Sequence, residues 1–508
     1  MSGGPVVGTD AGLLEGLAAG EQGRGVVAFY GVPFAEPPVG ARRWRHAEPC
    51  TRWEGTLPAT RFAPAPVQSQ PRRRSIMYQA NFVERRELVM SEDCLYLNVW
   101  TPELGAAGLP VMVWVPGGGN RFGWASQAIY DGARLARRGA VVVSISYRLG
   151  ALGFLSHPGL RAESGDGAAG NYALSDVLAA LQWVQRNIAA FGGDPGAVTV
   201  FGNSAGAAHI SHLMASPLAA GLFCRAIGQS GAGFKAIPSA AEADAEGVRF
   251  AESHGASSLE ELRDLGAAEL VGGSFGVAVD GRLLERPTRE VFGAGRQLDV
   301  ALLVGTNDDE GSPYAPRRNV AGAVAQAELL GLLADEYLSV YPAGDDDEAA
   351  RSSRRSTSCA QFYWPLWKWA STHARTSSSP VYMYRFEGMP PLPDGLELLP
   401  PADGAGGYGS FHTAELFYMW DNLEVRQWPW RDEDRRLATV MADCWVRFAT
   451  HGEPGSPTGE SRGRWEPMAD PLKGPVMRFG DEIGLGRLPE PEALELQDKI
   501  EMLARRRS

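Results

Sequence analysis

The segment TVFGNSAGAAH (199–209) runs from a β-rich apolar stretch through Gly202-Asn203-Ser204-Ala205-Gly206 into a helical pattern. A serine flanked in this way at a strand-to-helix reversal is the arrangement of a nucleophile elbow. The reversal strains the serine backbone and leaves its hydroxyl exposed at the carboxyl end of the strand. Gly202 and Gly206 remove the Cβ atoms where chain segments must approach closely. The N-terminus of the following helix adds positive potential. A chance glycine-flanked serine at a turn would lack the strand before it and the helix after it.

A serine hydroxyl is a weak nucleophile at neutral pH and needs a base oriented by a third group. Behind an elbow of this kind the acid comes next in the chain and the histidine last. Beyond the elbow's own helix four histidines remain: His254, His373, His412 and His451. His412, in YGSFHTAELFYMW (408–420), lies where a long glycine-rich loop enters a helix, which suits a movable base on a rigid support. His254 and His373 fall in helical patterns and read as packing or surface residues. His451, in ATHGEP, reads as a helix C-terminal turn. An acid cluster, Asp308, Asp309 and Glu310, leaves a strand through Gly-Thr-Asn in ALLVGTNDDEGSPY (301–314).

A second glycine-rich segment, VMVWVPGGGNRFGW (111–124), follows another apolar strand pattern. It is no dinucleotide loop, because the third glycine of G-x-G-x-x-G would fall on Phe122. The literal match GDGAAG (165–170) follows GLRAES, which is no buried strand, and reads as a loop entering the helix 171–192. No G-x-x-x-x-G-K-[ST] string occurs. His209 and His212 stand three apart on the elbow's helix without a third ligand or an H-E-x-x-H pattern, and read as helix packing or exposure rather than a metal pair.

These residues need a sheet to hold them. Apolar β-rich runs at 110–115, 140–147, 197–202, 224–230, 300–306 and 381–386 alternate with helical patterns at 128–139, 171–192 and 204–215. Near-continuous apolar strands imply burial on both faces, and the alternation implies a mostly parallel sheet covered by helices, an α/β fold. The first hundred residues are rich in Pro, Gly and Arg, with strand-like pieces such as 25–34. Residues 231–295 read as helices and loops, an insertion or lid over a site. The run AGDDDEAARSSRRSTS (343–358) reads as a solvated loop and helix start. No internal repeat and no long Pro/Ser linker divides the 508 residues, so one domain spanning 1–508 is expected. The formal charge of −12 argues against nucleic acid as a partner. No apolar run approaches the ~20 residues of a membrane span. MSGGPVVGTDAG has neither the basic nor the apolar region of a signal peptide, so a soluble, cytoplasmic protein is expected. Cys50, Cys94, Cys224, Cys359 and Cys444 are widely spaced, without a CxxC pair, and are too sparse for a disulfide scaffold.

Ordered motifs run nearly end to end: FYGVPFAEPPVG (29–40), SEDCLYLNVWTP (91–102), VVSISYRLGALGFL (142–155), the elbow segment 170–207, AIGQSGA (226–232), DEG (309–311), FHTAEL (411–416) and WVRFATHGEP (445–454). In these the chain resembles the type-B carboxylesterases of the α/β-hydrolase fold, bacterial para-nitrobenzyl esterases among them, over roughly residues 8–470. The resemblance implies a serine esterase with Ser204 as nucleophile, Glu310 as acid and His412 as base. It implies oxyanion donors at the amides of Gly118, Gly119 and Ala205, support from Ser230 behind the triad, a small-molecule ester substrate, and no metal or cofactor.

The chain departs from its relatives at several positions. Asn203 stands where they often carry Glu. Counting back from Glu92 puts Glu84 where cholinesterases place a tryptophan, and both changes argue against a choline ester. Cys94 matches a half-cystine of secreted relatives, but the partner position near 63–68 has no Cys, and Cys50 lies off it. A reduced, intracellular setting follows. Pro116 and Asn120 replace residues that relatives commonly carry as His or Tyr and as an aromatic, which makes Asn120 and Phe122 candidates for lining a more polar pocket. Two alternatives to ester hydrolysis stand beside it. One is a non-catalytic binding protein, disfavoured by the presence of all three triad residues. The other is the same chemistry on an amide, carbamate or polyester, which pocket shape would decide.

Overall fold

In the computed structural model the residues described are 4–19, 25–84, 87–401, 407–457, 459 and 463–507. Their centre is an 11-stranded sheet. In chain order its strands are β1 (Leu17–Ala18), β2 (Val27–Pro33), β3 (Tyr96–Thr101), β4 (Leu109–Val115), β5 (Val141–Ile145), β6 (Gly193–Asn203), β7 (Arg225–Gln229), β8 (Ala301–Asn307), β9 (Val381–Phe386), β10 (Val476–Phe479) and β11 (Ile483–Gly486). In space they run β1-β2-β3-β5-β4-β6-β7-β8-β9-β10-β11. From β5 through β4 and β6 to β10 every pairing is parallel. β1, β2 and β3 at one end and β11 at the other pair antiparallel.

Strands β5 and β9 are buried at every position, and β4, β7 and β8 at every position but the first, as expected of parallel strands covered on both faces. Helices α1 (Tyr172–Asn187), α2 (Ala205–Met214), α3 (Ala240–Ser253), α4 (Asp346–Ser358), α5 (Trp364–Thr376), α6 (Asp432–His451) and α7 (Pro491–Arg507) accompany the sheet. Trp114 of β4 is fully buried against Tyr130, Phe201 and Trp420, with ring centroids 4.9, 4.9 and 5.3 Å away. Truncating it to Ala would cost about 3–5 kcal/mol. Two of the sequence motifs meet in a buried ion pair. The Arg148 guanidinium donates to both carboxylate oxygens of Asp176 in α1, at 2.9 and 2.6 Å. Removing either partner would strand a buried charge, at about 3–5 kcal/mol.

The elements differ from the sequence reading in two places. The helical pattern 128–139 breaks into a 3₁₀ turn, Ala128–Tyr130, and a single turn, Ala133–Ala136. Between them Asp131 Oδ1 accepts the Ala133 N–H at 2.9 Å. The run 343–358 is not simply solvated. Asp345 caps α4 by accepting the Glu348 N–H at 2.7 Å, and the helix buries Ala349, Ala350, Ser352, Ser353 and Ser358. Its buried stripe is made of small residues, so it carried no apolar signal.

Candidate active site

The candidate residues follow the ends of five consecutive strands of the sheet, β4, β6, β7, β8 and β9. β6 ends at Asn203, and Ser204 then adopts φ 57°, ψ −123° before α2 begins at Ala205. A left-handed serine is strained by about 1–3 kcal/mol and persists only where its surroundings hold it. Here its N–H donates to Gln229 O of β7 (2.7 Å), and its carbonyl accepts the Ala208 N–H (3.0 Å). The glycines of the pentapeptide answer to the end of β4. A Cβ on Gly202 would lie 2.7 Å from Val115 O, and one on Gly206 only 2.1 Å from it.

The glycine run leaves β4 beside the serine. Gly118 (φ 126°) and Gly119 (φ 60°) take conformations that side chains disfavour. Gly118 O accepts the N–H groups of Arg121 and Phe122, both at 3.1 Å, which closes the turn. Pro116 O accepts the Tyr147 hydroxyl at 2.5 Å. The N–H groups of Gly118, Gly119 and Ala205 have no protein acceptor among the described residues. Asn120 (φ 61°) turns its side chain to His209, with Oδ1 2.9 Å from Nε2. Phe122 packs against Phe82, centroids 5.9 Å apart.

β8 ends at Asn307, and the acid cluster follows. Asp308 pairs with Arg385 at 3.0 Å and Asp309 with Arg354 at 3.5 Å. Burial, and then the adjacent Asp308, raise the Asp309 carboxyl above its usual range. Of the three acids Glu310 reaches a histidine. It is fully buried, its Oε1 accepts the Asn307 N–H at 2.8 Å, and its Oε2 lies 2.6 Å from His412 Nδ1. The turn behind it is held by α4, where Ser358 Oγ accepts the Gly311 N–H at 2.8 Å.

His412 is 2% exposed and packs against the rings of Phe362 (4.4 Å) and Tyr314 (5.6 Å), which also touch each other. Its loop is fastened to the acid loop by the Asp309 N–H donating to Ser410 O (3.0 Å). Residues 402–406 of the glycine-rich approach lie outside the described residues. Neither Ser204 Oγ nor His412 Nε2 has a hydrogen-bond partner among the described residues. Sites without substrate commonly hold this contact loose.

A second buried acid, which the sequence reading missed, sits beneath these loops. Glu415 Oε1 accepts from Asn203 Nδ2 (2.7 Å) and Gln229 Nε2 (3.2 Å), and its Oε2 accepts from Asn307 Nδ2 (2.6 Å). Burial and the neighbouring Glu310 push its carboxyl up to about 7, against the pull of Asn307 and His412. A signal was present in the sequence. Each of these three carboxamides is the last residue of its strand, on β6, β7 and β8. Ser230 follows β7 at φ 53°, and its buried Oγ has no partner among the described residues.

The remaining histidines have other tasks. Besides His209, His212 bonds Thr288 Oγ1 at 2.6 Å. Burial pushes these two imidazoles down to about 3 and about 4, so both stay neutral. His373 bonds Val300 O (2.9 Å), His254 bonds Phe250 O (2.8 Å), and His451 ends α6 before Gly452. Among the described residues no three His, Cys, Asp or Glu side chains converge as metal ligands. A cavity of ≈ 1160 Å³, lined by Tyr30, Trp100, Trp124, Glu84 and Asp131, includes none of Ser204, Glu310 and His412, so volume alone does not mark the chemistry.

The profile of the Carboxylesterase family matches residues 3–496. The chain is 35% identical over 506 residues to a fumonisin B1 esterase of Sphingopyxis macrogoltabida, covering 94% of this chain and 87% of that one. It is 33% identical over 467 residues to the para-nitrobenzyl esterase of Bacillus subtilis, with coverage of 87% and 89%. A solved structure of PNB esterase superposes with a TM-score of 0.78 at 30% identity, over 97% of this chain and 99% of that one. The chain belongs to the carboxylesterase family, has the α/β-hydrolase fold, and is a serine-type carboxylic ester hydrolase.

Proposed function

We propose that Ser204, His412 and Glu310 are the catalytic triad of this hydrolase, within a single domain spanning the chain. The observation that carries the reading is the 2.6 Å contact between Glu310 Oε2 and His412 Nδ1, both buried, with the strained Ser204 at the end of β6, two strands from β8 in the sheet. Glu310 holds the proton of His412 on Nδ1, which leaves Nε2 as the acceptor for the Ser204 proton. Ser204 Oγ attacks the ester carbonyl as His412 takes that proton. Glu310 stabilises the imidazolium that forms. The oxyanion is received by the N–H groups of Gly118, Gly119 and Ala205, each worth about 3 kcal/mol in the transition state. His412 returns the proton to the departing alcohol, and water then cleaves the acyl-enzyme through the same groups.

The substrates are small carboxylic esters, with para-nitrobenzyl esters and fumonisin B1 among the candidates that relatives' names supply. The described cysteines are all unpaired, which supports a reducing, cytoplasmic setting. The test is hydrolysis of p-nitrophenyl acetate and butyrate by the wild type beside Ser204→Ala. The variant is expected to retain no turnover above background, and equal rates from the two proteins would sink the reading.

A further inference from the structure

Residues 68–81 stand with one foot on each of two loops that carry candidate site residues. At one foot, Gln68 exchanges two hydrogen bonds with Gly123 of the glycine loop, at 2.8 and 3.2 Å. At the other, Asn81 Nδ2 donates to Thr413 Oγ1, next to His412, at 2.7 Å. Between the feet the chain reads QSQPRRRSIMYQAN, with Arg72, Arg73 and Arg74 and no acidic residue. All three arginines are exposed. Arg74 approaches Glu397 at 3.9 Å, whereas Arg72 and Arg73 have no ion-pair partner among the described residues.

Two more exposed arginines rise from the loops beneath. Arg121 stands two residues past Gly119, its guanidinium 5.8 Å from the Phe122 ring centroid. Arg317 stands three residues past Tyr314, whose ring flanks His412. Neither has an acidic partner among the described residues. The acids of the same loops are engaged, Asp308 with Arg385, Asp309 with Arg354 and Glu310 with His412. On a chain of formal charge −12, Arg72, Arg73, Arg121 and Arg317 are exposed on three loops without an acidic partner among the described residues. Basic groups focused on a cleft raise the local concentration and association rate of anions.

We propose that Arg72, Arg73, Arg121 and Arg317 form a basic collar that selects esters carrying a free carboxylate a few bonds from the scissile carbonyl. Arg121, the nearest in sequence to the proposed oxyanion donors, is the one that contacts it. The proposal rests on the triad reading and adds the substrate class.

The test uses two esters of equal length and leaving group, p-nitrophenyl hexanoate and p-nitrophenyl hydrogen adipate, which differ in a terminal carboxylate. For the wild type, the adipate-to-hexanoate ratio of kcat/KM is expected to fall about tenfold as salt is raised from about 20 mM to about 500 mM. Arg72→Gln combined with Arg73→Gln, and separately Arg121→Gln, should each lower the ratio by about 3- to 10-fold at low salt, mainly through KM for the adipate. Arg121→Lys should recover most of that loss. Hexanoate hydrolysis by the wild type and not by Ser204→Ala tests the triad independently. A ratio that neither salt nor the glutamine variants move, while hexanoate is still hydrolysed, overturns the collar.

Discussion

Glu310 and Glu415 are two fully buried carboxylates hung on the same residue. Asn307 gives its backbone N–H to the first and its side-chain amide to the second. Their other partners differ in kind. Glu310 faces an imidazole that can take up a proton, whereas Glu415 faces carboxamides that cannot. Burial alone therefore does not make an acid part of a proton relay; the titratable partner does. On this account Glu415 is a strut. It ties the residue before Ser204, the strand that receives the Ser204 N–H, and the strand that carries Glu310 into one unit beneath the site.

The largest expected effect separates the two acids. Glu310→Ala should lower kcat by about 10³–10⁴ while the unfolding midpoint moves little by comparison. Glu415→Ala should do the reverse. It leaves buried amide donors unpaired, so it should cost about 2–5 kcal/mol in denaturant unfolding, with a smaller loss in kcat than Glu310→Ala. A Glu415→Ala enzyme of unchanged stability whose activity has collapsed would break the comparison.

Titration sharpens it. A carboxyl whose folded pKa lies near 7, above an ordinary 4.5, holds more protons folded than unfolded across that window. Its contribution to stability is full below about pH 4.5 and declines as pH rises toward about 7, by on the order of 3 kcal/mol. Unfolding of the wild type and of Glu415→Ala, followed from pH 5 to 8, should show this slope in the wild type alone. The smallest effect belongs to the glycine loop. Pro116 gives only its carbonyl, to Tyr147, and the proposed oxyanion donors lie two and three residues further on. Pro116→His should therefore change kcat/KM on p-nitrophenyl butyrate by less than about threefold. Collapse without unfolding would mean that Pro116 shapes the hole.

What was legible in the sequence was local. The elbow, its strand and its helix are contiguous, so Ser204 could be found from residue types and order. His412 stood out by its place at a loop–helix junction, whereas the choice of Glu310 over Asp308 and Asp309 came from family resemblance. The strut went unread although its three carboxamides end their strands, because its bonds join residues 212, 186 and 108 positions apart. The support from α4 was hidden for another reason, since Ser352, Ser353 and Ser358 bury a face without adding hydropathy. The bond between Asn120 and His209 joins residues 89 positions apart, a contact that only the fold brings about.

The central claim is that Ser204 is the nucleophile and His412, held by Glu310, its base. The most direct measurement is labelling with an aryl fluorophosphonate, followed by intact-mass and peptide mass spectrometry. One adduct per chain is expected, on the peptide containing Ser204, with loss of esterase activity in proportion. No adduct is expected in Ser204→Ala, and sharply slowed labelling in Glu310→Ala. An adduct on another residue, or ester hydrolysis that survives complete labelling of Ser204, would contradict it.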